Sequence, residues 1–137
     1  MRFALQDPLL VFARVKGANG AVRELRSALD FNAPYCVIFS RDAIRLGFAE
    51  AALRPRDWQK SHPDKVPYLL DLRGIERSIL FGLAEVSLGS LVAKDVETVV
   101  MEMDLTRMLP VDLILGRPFL KNFKLTVDAR KGYVSLV

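Results

Sequence analysis

Few side chains in this sequence can make or break bonds. Cys36 is the only cysteine and His62 the only histidine among 137 residues. A structural zinc site takes about four Cys or His ligands, so an intrachain one is excluded, and no metal or other cofactor is expected. A Ser/His or Cys/His nucleophilic pair would have to recruit His62. That residue lies in Ser61-His62-Pro63, among loop formers, and reads as an exposed loop histidine. Cys36 lies in the apolar run Tyr35-Cys36-Val37-Ile38-Phe39 and reads as a small buried hydrophobe. Carboxylates remain. Asp30, Asp112 and Asp128 each stand at a strand end or a turn, where Asp is common for local reasons. By residue type alone, that is the reading of all three.

The composition narrows the surroundings of any site. A chain of 137 residues, 51% of them hydrophobic, is one domain's worth with ample material for a core. With no disulfide possible within the chain, a reducing compartment is the default, and a cytoplasmic protein is expected. The opening residues lack the apolar core of a signal peptide. No uncharged apolar stretch approaches the ~18 residues of a membrane span, so a soluble protein with no membrane partner is expected. The net charge is +4, with 20 basic residues against 16 acidic. The densest basic cluster is Arg117, Lys121, Lys124, Arg130 and Lys131, with Asp128 among them. Nucleic-acid binders show a basic stripe with stacking aromatics or a known module. Neither is evident, so the cluster reads as a solvated basic face and no nucleic acid is expected.

The elements that must position any site are short and β-like. Leu9 to Lys16 predicts a strand, Gly17 to Gly20 a turn, and Ala21 to Leu29 a returning strand. Tyr35 to Phe39 suits a buried strand. Ser40 to Gly47 predicts one or two helical turns, with Ser40 as N-cap and Gly47 as the C′ residue. Residues 48 to 67 are polar, hold several prolines and show no period, as expected of a long surface loop. Tyr68 to Leu72 and Ile75 to Phe81 flank Arg73-Gly74 as a possible hairpin. Leu83 to Leu88 and Val92 to Met103 are further strands around the turn Gly89-Ser90. Leu113 to Leu115 is a buried strand, Pro118 to Phe123 a short helix with Pro118 in its first turn, and Lys124 to Val137 a closing hairpin. About nine strands with two helical pieces is an all-β barrel or sandwich pattern.

Three pieces of this sequence together resemble the retropepsins, the retroviral-type aspartic proteases. Ala28-Leu29-Asp30-Phe31-Asn32-Ala33, followed by Val37-Ile38-Phe39-Ser40, is similar to the family's active-site strand, apolar-Asp-Thr/Ser-Gly-Ala. Val111-Asp112-Leu113-Ile114-Leu115-Gly116-Arg117-Pro118-Phe119-Leu120 resembles its second signature, an apolar-apolar-Gly turn running into a short helix. Phe123 to Asp128 with Gly132 to Leu136 is similar to its closing hairpin. The resemblance spans roughly residues 9 to 137. It implies one all-β closed-barrel domain over 1–137, with a loop insertion at about 48–67 and a flap at about 66–81, acting as a C2 homodimer.

The resemblance also implies a chemistry. Asp30 is the implied catalytic residue, with Phe31, Asn32 and Ala33 completing its loop and Leu115, Gly116 and Arg117 forming the second signature. Tyr68, Arg73 and Gly74 are the implied flap positions. Two copies of Asp30, one per chain, would flank a water and hydrolyse peptide bonds of a peptide or protein substrate. The sequence departs from the family at two positions. Phe31 replaces the Thr/Ser whose hydroxyl ties the two active-site loops together, and Asn32 replaces the Gly. Asn tolerates a positive φ better than most residues. Two readings therefore stand side by side: an active homodimeric aspartic endopeptidase, and a protease-like dimerisation or interaction module without catalysis.

Overall fold

The computed structural model of the chain describes residues 1–17, 19–47, 78–101 and 111–137. Its elements are β1 (Arg2–Ala4), β2 (Leu9–Lys16), β3 (Val22–Leu29), β4 (Cys36–Phe39), α1 (Ser40–Arg45), β5 (Ser78–Leu88), β6 (Leu91–Met101), β7 (Leu113–Leu115), α2 (Arg117–Leu120), β8 (Leu125–Asp128) and β9 (Tyr133–Leu136). The expected long loop, His62 and the flap positions Tyr68, Arg73 and Gly74 lie outside the described residues.

Alternation orients β2. Leu9, Val11, Ala13 and Val15 point inward and are buried, while Leu10, Phe12, Arg14 and Lys16 point to solvent. β3 pairs with β2 antiparallel along its whole length, from Leu9↔Leu29 to Lys16↔Val22. Six strands close into a barrel in the order β2-β3-β7-β4-β6-β5, with β5 returning to β2 through Arg14↔Ser87 and Lys16↔Glu85. Closure leaves the barrel no free strand edge. Its interior holds Ile38, Leu83, Val86, Val96, Leu113 and Leu115, each at most 1% exposed. Two buried hydroxyls inside this apolar wall are locally satisfied. Ser27 Oγ donates to the Leu25 carbonyl at 3.0 Å and Thr98 Oγ1 to the Val96 carbonyl at 2.9 Å.

The order of strands is the feature that builds a site. β7 is inserted between β3 and β4, parallel to β3 (Ser27↔Leu113, Leu29↔Leu115) and antiparallel to β4 (Val37↔Ile114, Ile38↔Leu113). The connection from β3 to β4, residues 30–35, therefore passes over the end of β7.

At the other end of β3, α1 plugs the barrel with Ala43 and Leu46, both fully buried. Gly17 lies so close to α1 that a Cβ there would run into the Leu46 carbonyl oxygen. Gly47 takes a φ of +90, as expected of a C′ residue. Ser40 is not the N-cap. β4 runs straight into the helix, so the extended Phe39 (φ −93, ψ 152) occupies that position and Ser40 is the first helical residue.

Two further expectations change. The strand expected to end at Phe81 and restart at Leu83 is one continuous β5, with Gly82 paired to Glu97 in the ladder. A Cβ on Gly82 would meet nothing nearer than the Asp95 backbone at 4.0 Å, so nothing local breaks the strand. The second change is β1, which the sequence did not predict. It pairs with β9 through Arg2↔Ser135 and Ala4↔Tyr133, in a separate sheet ordered β1-β9-β8. The Met1 amine donates to the Leu136 carbonyl, and the Leu136 N–H donates back to the Met1 carbonyl, both at 2.9 Å. Val134 and Leu136 turn into the core from this sheet.

Candidate active site

Asp30 follows the last residue of β3, and its N–H donates to the Leu115 carbonyl at 3.0 Å. That bond extends the β3–β7 ladder one step beyond the strand. The chain then turns tightly, with the Ala33 N–H reaching the Asp30 carbonyl at 3.3 Å. Within the turn, the Asn32 N–H donates to Asp30 Oδ1 at 3.0 Å. This is an Asx-type turn: it fixes one carboxylate oxygen by a charge-assisted bond while the side chain stays exposed to solvent.

The Leu115-Gly116-Arg117 segment braces the turn from below. The Arg117 N–H donates to the Ala33 carbonyl at 2.8 Å, and the Gly116 N–H points at Cys36 Sγ at 3.4 Å. Gly116 is required here for its missing side chain. A Cβ on it would collide with the carbonyl oxygens of Tyr35 and Ala33. So Asp30 and the Leu115-Gly116-Arg117 turn, 85 positions apart in sequence between Asp30 and Leu115 (115 − 30), meet in space. The short helix α2 that follows anchors this brace. Pro118 sits in its first turn, Phe119 is fully buried, and the Phe119 and Phe123 rings pack with centroids 5.0 Å apart. Asn122 Nδ2 donates to the Pro118 and Phe119 carbonyls, satisfying helix-end acceptors.

The two departures in the Asp30 loop have different consequences. Asn32 does not use a positive φ; Asp95 is the only described non-glycine residue that does. Asn therefore takes the glycine position without backbone strain. Phe31 is 39% exposed and takes no part in the core cluster.

The remaining candidates separate from this loop. Asp112 clamps β7 to β3: its N–H donates to the Arg26 carbonyl at 2.7 Å, and its Oδ2 accepts the Arg26 N–H at 3.3 Å. Asp128 shapes the β8–β9 turn by accepting the Lys131 N–H at 2.9 Å. The Arg117 side chain is exposed and makes neither of the two ion pairs found among the described residues, Arg26–Asp112 and Arg45–Asp42. Arg117, Lys121, Lys124, Arg130 and Lys131 are all exposed.

Cys36 is fully buried, and desolvation pushes its thiol up to about 11, so it carries negligible thiolate at neutral pH. Among the described residues no three Cys, His, Asp or Glu side chains gather as metal ligands. No helix among them is long and apolar enough to cross a membrane.

One acid escaped the sequence reading. Asp42, on the first turn of α1, is 4% exposed and lies at the plugged end of the barrel. Burial, with Asp112 as the second cause, holds its carboxyl above its ordinary value of 3.8, against the pull of Arg41, Arg45 and Arg23. Its one sequence signal was its place in the apolar frame of Ala43 and Leu46, and an Asp at N3 of a helix is ordinary enough to hide it.

No protein-family model matches the sequence, and no curated protein matches it either. Solved structures do match. A retropepsin-like aspartic protease from Rickettsia conorii superposes with a TM-score of 0.66 at 19% identity, over 99% of this chain and 88% of that one. The retroviral protease-like domain of Ddi1 from Leishmania major superposes with a TM-score of 0.55 at 17% identity, over 94% of this chain and 87% of that one. At such identities the likeness speaks for the fold. With its closed six-stranded barrel, inserted β7 and two short helices, this chain has the retropepsin-like fold.

Proposed function

We propose that the chain is a homodimeric aspartic endopeptidase in which Asp30 of each copy supplies one of two catalytic carboxylates. The observation that carries this reading is the Asp30 loop itself. An exposed carboxylate has one oxygen fixed by the Asn32 N–H, on a turn wedged against Gly116 and tied to Leu115 and Arg117. An acid needed only for local turn structure would not require a glycine beneath it from a strand 85 positions away (115 − 30).

Hydrolysis of a peptide by carboxylates alone needs two of them around one water. Among the described residues one carboxylate has this setting, since Asp112 and Asp128 are committed elsewhere. A two-fold axis beside Asp30 supplies the second. Two carboxyl groups that close share one proton, since both cannot ionise together. The ionised one takes a proton from the water as its oxygen attacks the scissile carbonyl carbon. The protonated one gives its proton to the carbonyl oxygen. As the resulting diol collapses, the newly protonated carboxyl gives its proton to the amine nitrogen and the C–N bond breaks. The other carboxylate takes a proton from a diol hydroxyl, restoring the shared proton. No cofactor enters this scheme.

The test is cleavage of a mixed peptide library by purified protein from about pH 3 to 7, with Asp30→Asn as control. Cleavage by the wild type that vanishes in Asp30→Asn supports the reading. A dimer that cleaves nothing across that range would overturn it and leave an interaction scaffold.

A further inference from the structure

Two aromatic side chains are among the exposed large apolar residues of the described chain, Phe12 and Phe31. They differ in setting. Phe12, 65% exposed, stands on the outer face of β2 opposite Arg26, in a regular ladder. Phe31 stands on a turn whose conformation is already held by backbone bonds to Leu115 and Arg117 and by the fit of Gly116. The Phe31 ring lies outside the core cluster and is 39% exposed, so part of it remains open to a second surface. Exposure of a single apolar side chain is ordinary on a protein surface; what sets Phe31 apart is its place on a turn fixed without it, directly beside Asp30.

Its position says which surface that is. If two Asp30 carboxylates hold one water, each lies within about 3 Å of it, and so close to the two-fold axis. The Phe31 Cα is one residue on, about 3.8 Å from that of Asp30. Across a two-fold axis, residues beside the axis meet their own copies. Association here also works against repulsion between two acids, so an apolar contact is what can hold the loops together independently of their protonation. We propose that Phe31 is the apolar anchor of the homodimer at its active centre, each ring burying against the other copy's 30–33 loop and so holding the two Asp30 carboxylates in register and screened from bulk water. The inference rests on the homodimeric reading above. Phe31 acts here as a positioning residue, through its effect on Asp30.

Sedimentation velocity over a concentration series tests it, on the wild type and on Phe31→Ser, Phe31→Leu and Phe12→Ser. Phe31→Ser is expected to raise the dimer dissociation constant by about a hundredfold or more, since two rings are lost per dimer. Phe31→Leu should stay within about tenfold of the wild type, because an apolar side chain still fills the contact. Phe12→Ser should leave association unchanged, and all variants should melt alike as monomers. A separate readout is Phe31→Cys treated with diamide, which should give a covalent dimer, the one native cysteine being buried. Phe31→Ser dimerising as tightly as the wild type overturns the anchor alone. So does equal weakening by Phe12→Ser, or a dimeric Phe31→Cys that fails to cross-link. A wild type that stays monomeric at every concentration overturns the dimeric enzyme as well.

Discussion

An acid stands beyond each end of β3, and the two could hardly be treated more differently. At its C-terminal end, Asp30 stands in solvent with one oxygen held by the Asn32 N–H. Near its N-terminal end, Asp42 of α1 is packed in at 4% exposure, beside the partly buried Arg23, whose Nε finds no hydrogen-bond partner. Each end is closed by backbone packed tightly against a glycine: the 33–35 loop over Gly116, and Leu46 at the end of α1 over Gly17. The same device thus serves two purposes. At one end it holds a turn rigid while leaving its acid exposed to solvent. At the other it seals the core and traps an acid in a place where charge is costly. Rigid backbone with an accessible side chain is what a reactive group requires, and only the Asp30 end has it.

The sharpest way to separate the two ends is Asp30→Asn. It should abolish cleavage, a loss of about a thousandfold or more, while the denaturation midpoint shifts by less than about 0.5 kcal/mol, as for an exposed position. A comparable loss of stability would show that Asp30 belongs with Asp42 as a structural acid. Next in size is Gly116→Ala. Its Cβ collides with two backbone carbonyls that cannot swing aside, and overpacking of this kind costs about 1–3 kcal/mol. Chemical denaturation should read that loss, and any cleavage should fall with it because the Asp30 turn must shift.

Asp112→Ala should cost about 1 kcal/mol in the same assay, through loss of the bond from the Arg26 N–H. Its ion pair with the half-exposed Arg26 side chain adds little. The smallest effect is expected at Asp42. Because its folded-state value is raised, the folded protein holds that proton more tightly than the unfolded chain does. Its contribution is therefore most favourable below about 3.8 and declines as pH rises from there through the raised value. Thermal melts at pH 4 and pH 7 should show a smaller difference for Asp42→Asn than for the wild type. An unchanged difference would mean that Arg23, Arg41 and Arg45 fully offset the burial.

What could be read in advance has a common cause. β2 announced itself by strict alternation, Leu113-Ile114-Leu115 by an apolar run ending in glycine, and the Asp128 turn by its local residues. The β3–turn–β4 stretch around Asp30 was likewise legible as a motif, as was its companion around Gly116. These are all local patterns, where a residue's neighbours in sequence are also its neighbours in space. Ser40 shows how fine the limit is: its residue type suited an N-cap, yet the strand running into α1 moved the cap to Phe39.

By itself, then, the sequence determined the strand faces, the turns and the two segments that meet around Asp30. The tertiary structure alone decided what those segments do to each other. It inserted β7 between strands separated from it by 74 positions or more (113 − 39 to β4 at the nearest), which no local period encodes. It paired β1 with β9 from the far end of the chain, a three-residue strand too short for any pattern to show. And it sorted one exposed acid from one buried acid of the same residue type. Burial and hydrogen bonding are properties of packed surroundings rather than of sequence neighbours, so an Asp acquires its chemical character only once the chain has closed around it.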